Sequence, residues 1–336
     1  MIRIAITLSV VLFLSACTQA PVTPLPHLSG NTMGTTYNVK FFSETEQPIE
    51  QIQQRIEQRL FEINKLMSTY DPESELSRFN QSRFTTPIEM SDETVLVLNE
   101  ALRLGELSGG VLDVTVGPLV NLWGFGPTQR PEKTPSEEEV QAIRAFVGLD
   151  KLRITGNQVT KLHPMLYVDL STIAKGYGVD ELANIMASYG IDNYLVEIGG
   201  EMRVKGLKPN GEAWRIAIEK PVVNERAIQR VVSVGDNALA TSGDYRNYYE
   251  EDGVRFSHLI DPTTGKPIQH NTVSVTVIHP SSMTADGLAT AFNVMGWEKA
   301  VQLADEHNLA VLIIRKTPEG FEEFESSAFK ATVTTY

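Results

Sequence analysis

Asp286 and Thr290 stand four residues apart in the run Thr284-Ala285-Asp286-Gly287-Leu288-Ala289-Thr290, so on a helix their carboxylate and hydroxyl leave the same face. Two hard oxygens with no neighbouring His or Cys suit Mg²⁺, which keeps part of its water shell and takes phosphate oxygens from its substrate. The plainer alternative is an acid favouring a helix N-terminus and a hydroxyl bonded to its own helix. A second group reads Tyr167-Val168-Asp169-Leu170-Ser171-Thr172-Ile173-Ala174-Lys175-Gly176. It predicts an apolar strand closing on an acid, a hydroxyl pair placed to cap a helix, and a lysine one turn in. Backbone N–H groups at such a helix start, with Lys175, make an anion site; a capped helix with a solvated lysine uses the same residues. In the third group, 257–267, a strand runs into a Pro/Gly turn and carries His258, which can titrate near neutral pH and serve as a base, or simply pack. Thr241-Ser242-Gly243-Asp244 and Gly199-Gly200 add hydroxyls and glycine turns that let a ligand near the backbone, a β-bulge being the alternative at the glycine pair.

These groups need a scaffold, and the chain has one. Its 336 residues carry 29 Lys and Arg against 42 Asp and Glu, with 42% hydrophobic residues, which excludes a disordered chain and a polytopic membrane protein. A formal charge of −13 excludes a nonspecific nucleic-acid binder, since phosphate neutralisation needs a basic face. An anionic ligand therefore needs a metal or a well-placed lysine. Ile49, Ile52, Ile56, Leu60, Ile63 and Met67 step by three and four and predict an amphipathic helix. Ser91 opens another, and Ser136 with Glu139 forms a capping box for a third. The Gly/Pro-rich stretch 123–135 reads as a long loop joining two halves. Strands are predicted at 166–170, 193–198, 214–219, 230–234, 257–260 and 272–278, with helices at 172–189 and 282–295, so the class is α+β with mixed or antiparallel sheets. No repeat of fixed period shows in the sequence.

Residues 1–16 hold one charge, Arg3, and an apolar run too short to span a bilayer. Leu14-Ser15-Ala16-Cys17 then reads as a lipobox around the sole cysteine of the chain, a cleaved signal with an incidental cysteine being the alternative; the lipobox predicts acylation of Cys17 (a palmitate-bearing lipoprotein), a Pro-rich tether over 17–29 and a folded domain over 30–336. A penicillin-binding-type hydrolase fits poorly, because Thr172-Ile173-Ala174-Lys175 stands where S-x-x-K belongs and Thr264-Gly265-Lys266 is in the wrong order.

The groups taken together, in this order, resemble the ApbE family of FAD:protein FMN transferases from about Gly30 to about Arg315. The resemblance rests on Thr32-Met33-Gly34-Thr35-Thr36-Tyr37, Met67-Ser68-Thr69-Tyr70-Asp71, Gly110-Val111-Leu112-Asp113-Val114-Thr115-Val116-Gly117-Pro118, the 169–176 run, 257–262 and Ala285-Asp286. It implies an α+β fold of two related halves of the tunnelling-fold kind with flavin between them. It also implies a Mg²⁺-dependent enzyme that joins FMN from FAD to a protein threonine through a phosphoester and releases AMP, or hydrolyses FAD to FMN and AMP when water replaces the threonine. By resemblance Met33, Tyr70, Val111, Leu112, Asp113, Asp169, Lys175 and Ile260 contact FAD. Asp286 and Thr290 bind metal by side chain, Thr172 and Ala289 by backbone carbonyl, and His258 is the base. The implied acceptors are subunits of membrane redox pumps of the Nqr and Rnf types, which places the anchored chain on the periplasmic side of the inner membrane, with the outer membrane as the alternative. The competing class is a lipid-anchored flavin carrier without turnover.

Overall fold

The computed structural model describes residues 24–126, 133–222, 227–245 and 247–336. The 1–16 segment, Cys17, part of the tether and part of the 123–135 loop lie outside them. The scaffold is an eight-stranded antiparallel sheet whose spatial order is its order along the chain. Its strands are β1 (His27–Thr32), β2 (Thr35–Phe42), β3 (Asn193–Ile198), β4 (Glu201–Lys205), β5 (Ala238–Gly243), β6 (Thr272–His279), β7 (Ala310–Thr317) and β8 (Gly320–Glu325). β1 begins at His27, inside the stretch expected to be tether. Helices α1 (Ile49–Met67), α2 (Glu75–Gln81), α3 (Asp92–Leu107), α4 (Gly117–Leu122) and α5 (Glu137–Arg144) precede α6 (Ala174–Ser188). Then come α7 (Ser282–Met295) and α8 (Trp297–Glu306).

The strand order exposes a duplication that the sequence hides. In the first half α6 lies between the second and third strands of β1-β2-β3-β4, and in the second α7 lies between the second and third strands of β5-β6-β7-β8. The insertions differ. The first half places 43–173 between its second strand and its helix, whereas the second places 244–271 between its first two strands.

Packing follows from period. Successive strand residues face opposite sides: Val275, Val277, Val311 and Ile313 meet Leu288 and Phe292 of α7, while Ile278, Leu312 and Ile314 meet Ile216, Ile218 and Val232 of a small second sheet. Both faces being covered, β6 is buried from Thr272 to Ile278 and β7 opens with the apolar run Ala310–Ile314. Under the first half, Val39, Phe41 and Val196 pack on Ile52, Ile56 and Leu60 of α1 and Val179, Leu182 and Met186 of α6. Local signals hold where expected: Ser91 accepts from Thr94 N–H, and Ser136 and Glu139 close a capping box.

Several expectations fail for identifiable reasons. Segment 166–170 joins no sheet; the Asn80 amide takes the place of a neighbouring strand, accepting Val168 N–H and donating to the Val168 carbonyl, each at 2.8 Å. Segment 257–260 breaks into two ladders, Val254–Ser257 and Ile260–Asp261. The strands expected at 214–219 and 230–234 run over Ile216–Glu219 and Ile228–Ser233. The helix expected from Thr172 starts at Ala174 with no side-chain cap. Gly199 and Gly200, with φ of 60° and 109°, form the β3–β4 hairpin turn rather than a bulge, a conformation glycine adopts without steric cost.

Candidate active site

The site is built on the meeting of α6 and α7. Gly176 lets them touch: a Cβ there would lie 2.3 Å from the Ser282 carbonyl oxygen and 2.7 Å from the Met283 Cα. At this distance the two N-termini exchange carboxylates. Asp286 accepts the Gly176 N–H at 3.0 Å. Asp180 accepts the Ser282 and Met283 N–H groups, each at 3.0 Å, and the Ser281 hydroxyl at 2.8 Å. Each acid stands four residues beyond an N–H that the other helix's acid binds, 176 with 180 and 282 with 286. Helix N-termini leave N–H groups unpaired and favour negative charge, so either contact is stabilising.

On the Asp286 side the charges do not balance. Lys175 Nζ lies 2.9 Å from Glu201 Oε2 and 3.5 Å from Asp286 Oδ1, and both acids are 4% exposed. Burial raises Glu201 to about 7 against the pull of the Lys175 ammonium, and burial likewise raises Asp286, opposed by Lys175 and the Gly176 N–H. For Lys175 burial works downward, but Asp286 and Glu201 outweigh it and hold the ammonium above its ordinary range. When both carboxylates are ionised, one ammonium leaves a negative charge over, a state that a bound cation would favour. Beside them the Thr172 hydroxyl is buried without a partner, a condition that costs about 1–3 kcal/mol unless a ligand or water fills it. A carboxylate oxygen, Thr172 and Thr290 hydroxyls and excess negative charge fit a hard divalent cation. Among the described residues no cluster of three His, Cys, Asp or Glu could hold a metal, so a cation here would complete its shell with water and substrate oxygens. Asp286 is thus a buried bridge between the two helices.

A cleft of about 420 Å³ opens on this cluster. It brings together Tyr70, Val111, Leu112, Asp113, Asp169, Thr172, Lys175, His258, Ile260, Asp286 and Thr290. Two expected members do not line it: Met33 packs beside Gly178 at a φ of 48°, and Ala289 is buried within α7. Asp113 and Asp169 are drawn into one wall by the Asp169 N–H, which donates to the Val114 carbonyl at 2.7 Å. Burial raises both, opposed by Thr115 at Asp113 and by Ser171 at Asp169.

His258 sits in the break between the two short ladders, held by Asn247, whose carbonyl accepts its backbone N–H at 3.1 Å and lies 3.0 Å from its Nδ1. A carbonyl only accepts, so Nδ1 carries the proton and Nε2 keeps its lone pair. Burial lowers the pKa of His258, reinforced by Lys175 and Arg255 and opposed by the Asn247 carbonyl. The ring is therefore neutral and basic at pH 7.

Glu201 and Asn247 escaped the sequence reading. Glu201 carries one available signal, since it follows Gly199-Gly200 directly; Asn247 has none.

Comparison with known proteins agrees with the geometry. The sequence model of the ApbE family matches residues 33–313. The chain belongs to the ApbE family. It is 54% identical to the FAD:protein FMN transferase of Vibrio cholerae serotype O1 over 97% of both chains. It is 41% identical to the protein of that name from Escherichia coli K12, over 98% of this chain and 96% of that one. Of solved structures, the flavin transferase ApbE from Vibrio cholerae superposes with a TM-score of 0.86 at 54% identity, covering 91% of this chain and 98% of that one. The apo flavinyl transferase ApbE of Pseudomonas stutzeri gives 0.85 at 39% identity, over 92% and 96%. These ApbE structures share the α+β architecture described above.

Proposed function

We propose that this ApbE-family chain transfers FMN from FAD to a threonine of a protein acceptor, with Mg²⁺ held at Asp286 and AMP as the leaving product. The observation that carries the reading is the convergence in one cleft of a basic His258, an ammonium at Lys175 and a hard-oxygen group with uncompensated negative charge. The names of its relatives support the reaction class. Mg²⁺ bound there would neutralise the pyrophosphate and stabilise charge growing on the departing AMP. His258 Nε2 takes the threonine proton, the threonine oxygen bonds to the FMN phosphorus, and the bond to the AMP oxygen breaks with its electron pair leaving on AMP. Asn247 fixes the tautomer that makes Nε2 the acceptor. Lys175 presents positive charge to the phosphates in a chain that is otherwise strongly acidic. Water in place of the threonine would give FMN and AMP from the same site.

The acceptors are proposed to be Nqr- and Rnf-type subunits, reached from a Cys17 lipid anchor on the periplasmic face of the inner membrane. Among the described residues no helix is long and apolar enough to cross a membrane. The test is incubation with FAD and Mg²⁺, with and without such an acceptor, scoring AMP and flavin that survives denaturation. Covalent flavin that requires Mg²⁺ is expected. AMP in neither mixture would leave a flavin-binding protein without turnover.

A further inference from the structure

We propose that Glu201 is a positioning residue: it holds the Lys175 ammonium away from Asp286 and so leaves that carboxylate open to a divalent cation. The inference rests on the cation reading above and concerns what competes with the cation. Asp286 Oδ2 accepts the Gly176 N–H at 3.0 Å, whereas Oδ1 has only the long contact to the Lys175 ammonium. Oδ1 is the oxygen left for a metal, and Lys175 Nζ stands only 3.5 Å from it. A lysine with no other partner would close onto that oxygen, since charged hydrogen bonds settle near ~2.8 Å. Here it is drawn instead to Glu201 Oε2 at 2.9 Å.

The hairpin fixes this geometry. Glu201 is the first residue of β4, placed by the Gly199-Gly200 turn, where glycine at 199 is required both by its φ of 60° and by Thr35, whose Cγ2 a Cβ would approach to 2.8 Å. Glu201 Oε2 is buried and lacks an aligned hydrogen bond, so the nearby ammonium is what offsets its charge, and the acid has no separate structural contact through that oxygen. Ammonium and metal compete for one oxygen, and Glu201 biases the competition toward the metal.

The magnitude follows from Coulomb's law. Closing a unit charge pair from 3.5 Å to ~2.8 Å at an effective dielectric of ~20 strengthens it by roughly fivefold to tenfold in equilibrium constant.

The experiment measures Mn²⁺ binding by EPR, without FAD, in the wild type, Glu201→Asp, Lys175→Met and the double variant. Glu201→Asp keeps the charge but shortens the reach, so it should raise the Mn²⁺ Kd roughly fivefold to tenfold. Combined with Lys175→Met, the same change should move the Kd by less than about twofold, because no ammonium remains to release. Wild-type affinity in Glu201→Asp would overturn the proposal, as Glu201 would then act by charge alone. Equal weakening with and without Lys175 would also overturn it, since the effect would not pass through the lysine. Near-isosteric Glu201→Gln gives an arm that needs no repacking: its crystal structure should show Nζ within about 3 Å of Asp286 Oδ1, and an ammonium still held at residue 201 would contradict the account. No Mn²⁺ binding by the wild type would instead defeat the cation reading itself.

Discussion

Asp180 and Asp286 occupy equivalent places in the two halves, each reaching across to the other helix's N-terminus, yet their surroundings diverge. Asp180 takes three donors from 281–283 and a fourth from Arg203, whose Nη1 lies 2.8 Å away. Its lone pairs are filled and a guanidinium closes it off. Asp286 takes one N–H and a lysine at 3.5 Å, beside a second buried acid, an unpartnered threonine hydroxyl and an open cleft. The same clasp is therefore a joint where donors saturate it and a site where one oxygen stays open. The insertions explain which side became the site: 43–173 brings Tyr70, Asp113 and Asp169 to the Asp286 side, and 244–271 brings Asn247, His258 and Ile260 to that same side.

Several substitutions would break or sharpen this comparison. The largest effect is expected from Asp286→Ala, which removes the open oxygen; FMN transfer should fall by at least about 10³-fold, in line with losing charge stabilisation in a water-poor site. Single-turnover flavinylation checks it. His258→Ala should lower that rate on the order of 10²- to 10³-fold, the contribution of a positioned base, while FAD affinity measured by fluorescence stays within a few fold. The wild-type rate should fall on the acid side with a midpoint below the ordinary ~6.5, because the base works unprotonated and burial lowers the His258 pKa. The same shift makes the unfolded chain take the proton first, so His258 costs stability as pH drops from ~6.5 toward its folded value.

On the saturated side the expected change is in stability. Asp180→Asn should cost on the order of 2–3 kcal/mol in denaturant unfolding, since buried donors lose a charged acceptor, with transfer per folded molecule kept within a few fold. Gly176→Ala reaches both sides at once: the added methyl meets the Ser282 carbonyl, so α6 and α7 must part, at about 1–3 kcal/mol, and transfer and melting temperature should fall together.

What the sequence discloses depends on range. The stripe of α1, the Ser91 and Ser136 caps, the bounds of α7 and the β3 segment are legible because each rests on residues within a few turns of one another. Segment 166–170 misleads because its hydrogen-bonding partner is a side chain, Asn80, 88 positions from Val168. Asp286 and Thr290 are visible by spacing, but the excess charge that gives them meaning comes from Glu201, on another element. The duplication is invisible because the halves share strand order and a four-residue clasp spacing while carrying their insertions at different places. His258 is legible by type alone; that its Nε2 is the basic nitrogen follows from a carbonyl 11 positions away.

The most direct measurement titrates Mg²⁺ into single-turnover flavinylation of Asp286→Asn and Asp180→Asn side by side, at equal folded concentration. The account predicts that Asp180→Asn keeps the wild-type Mg²⁺ midpoint and plateau, while Asp286→Asn shows no Mg²⁺-dependent transfer at any concentration. A Mg²⁺-dependent plateau near wild type in Asp286→Asn, or its loss in folded Asp180→Asn, would contradict it.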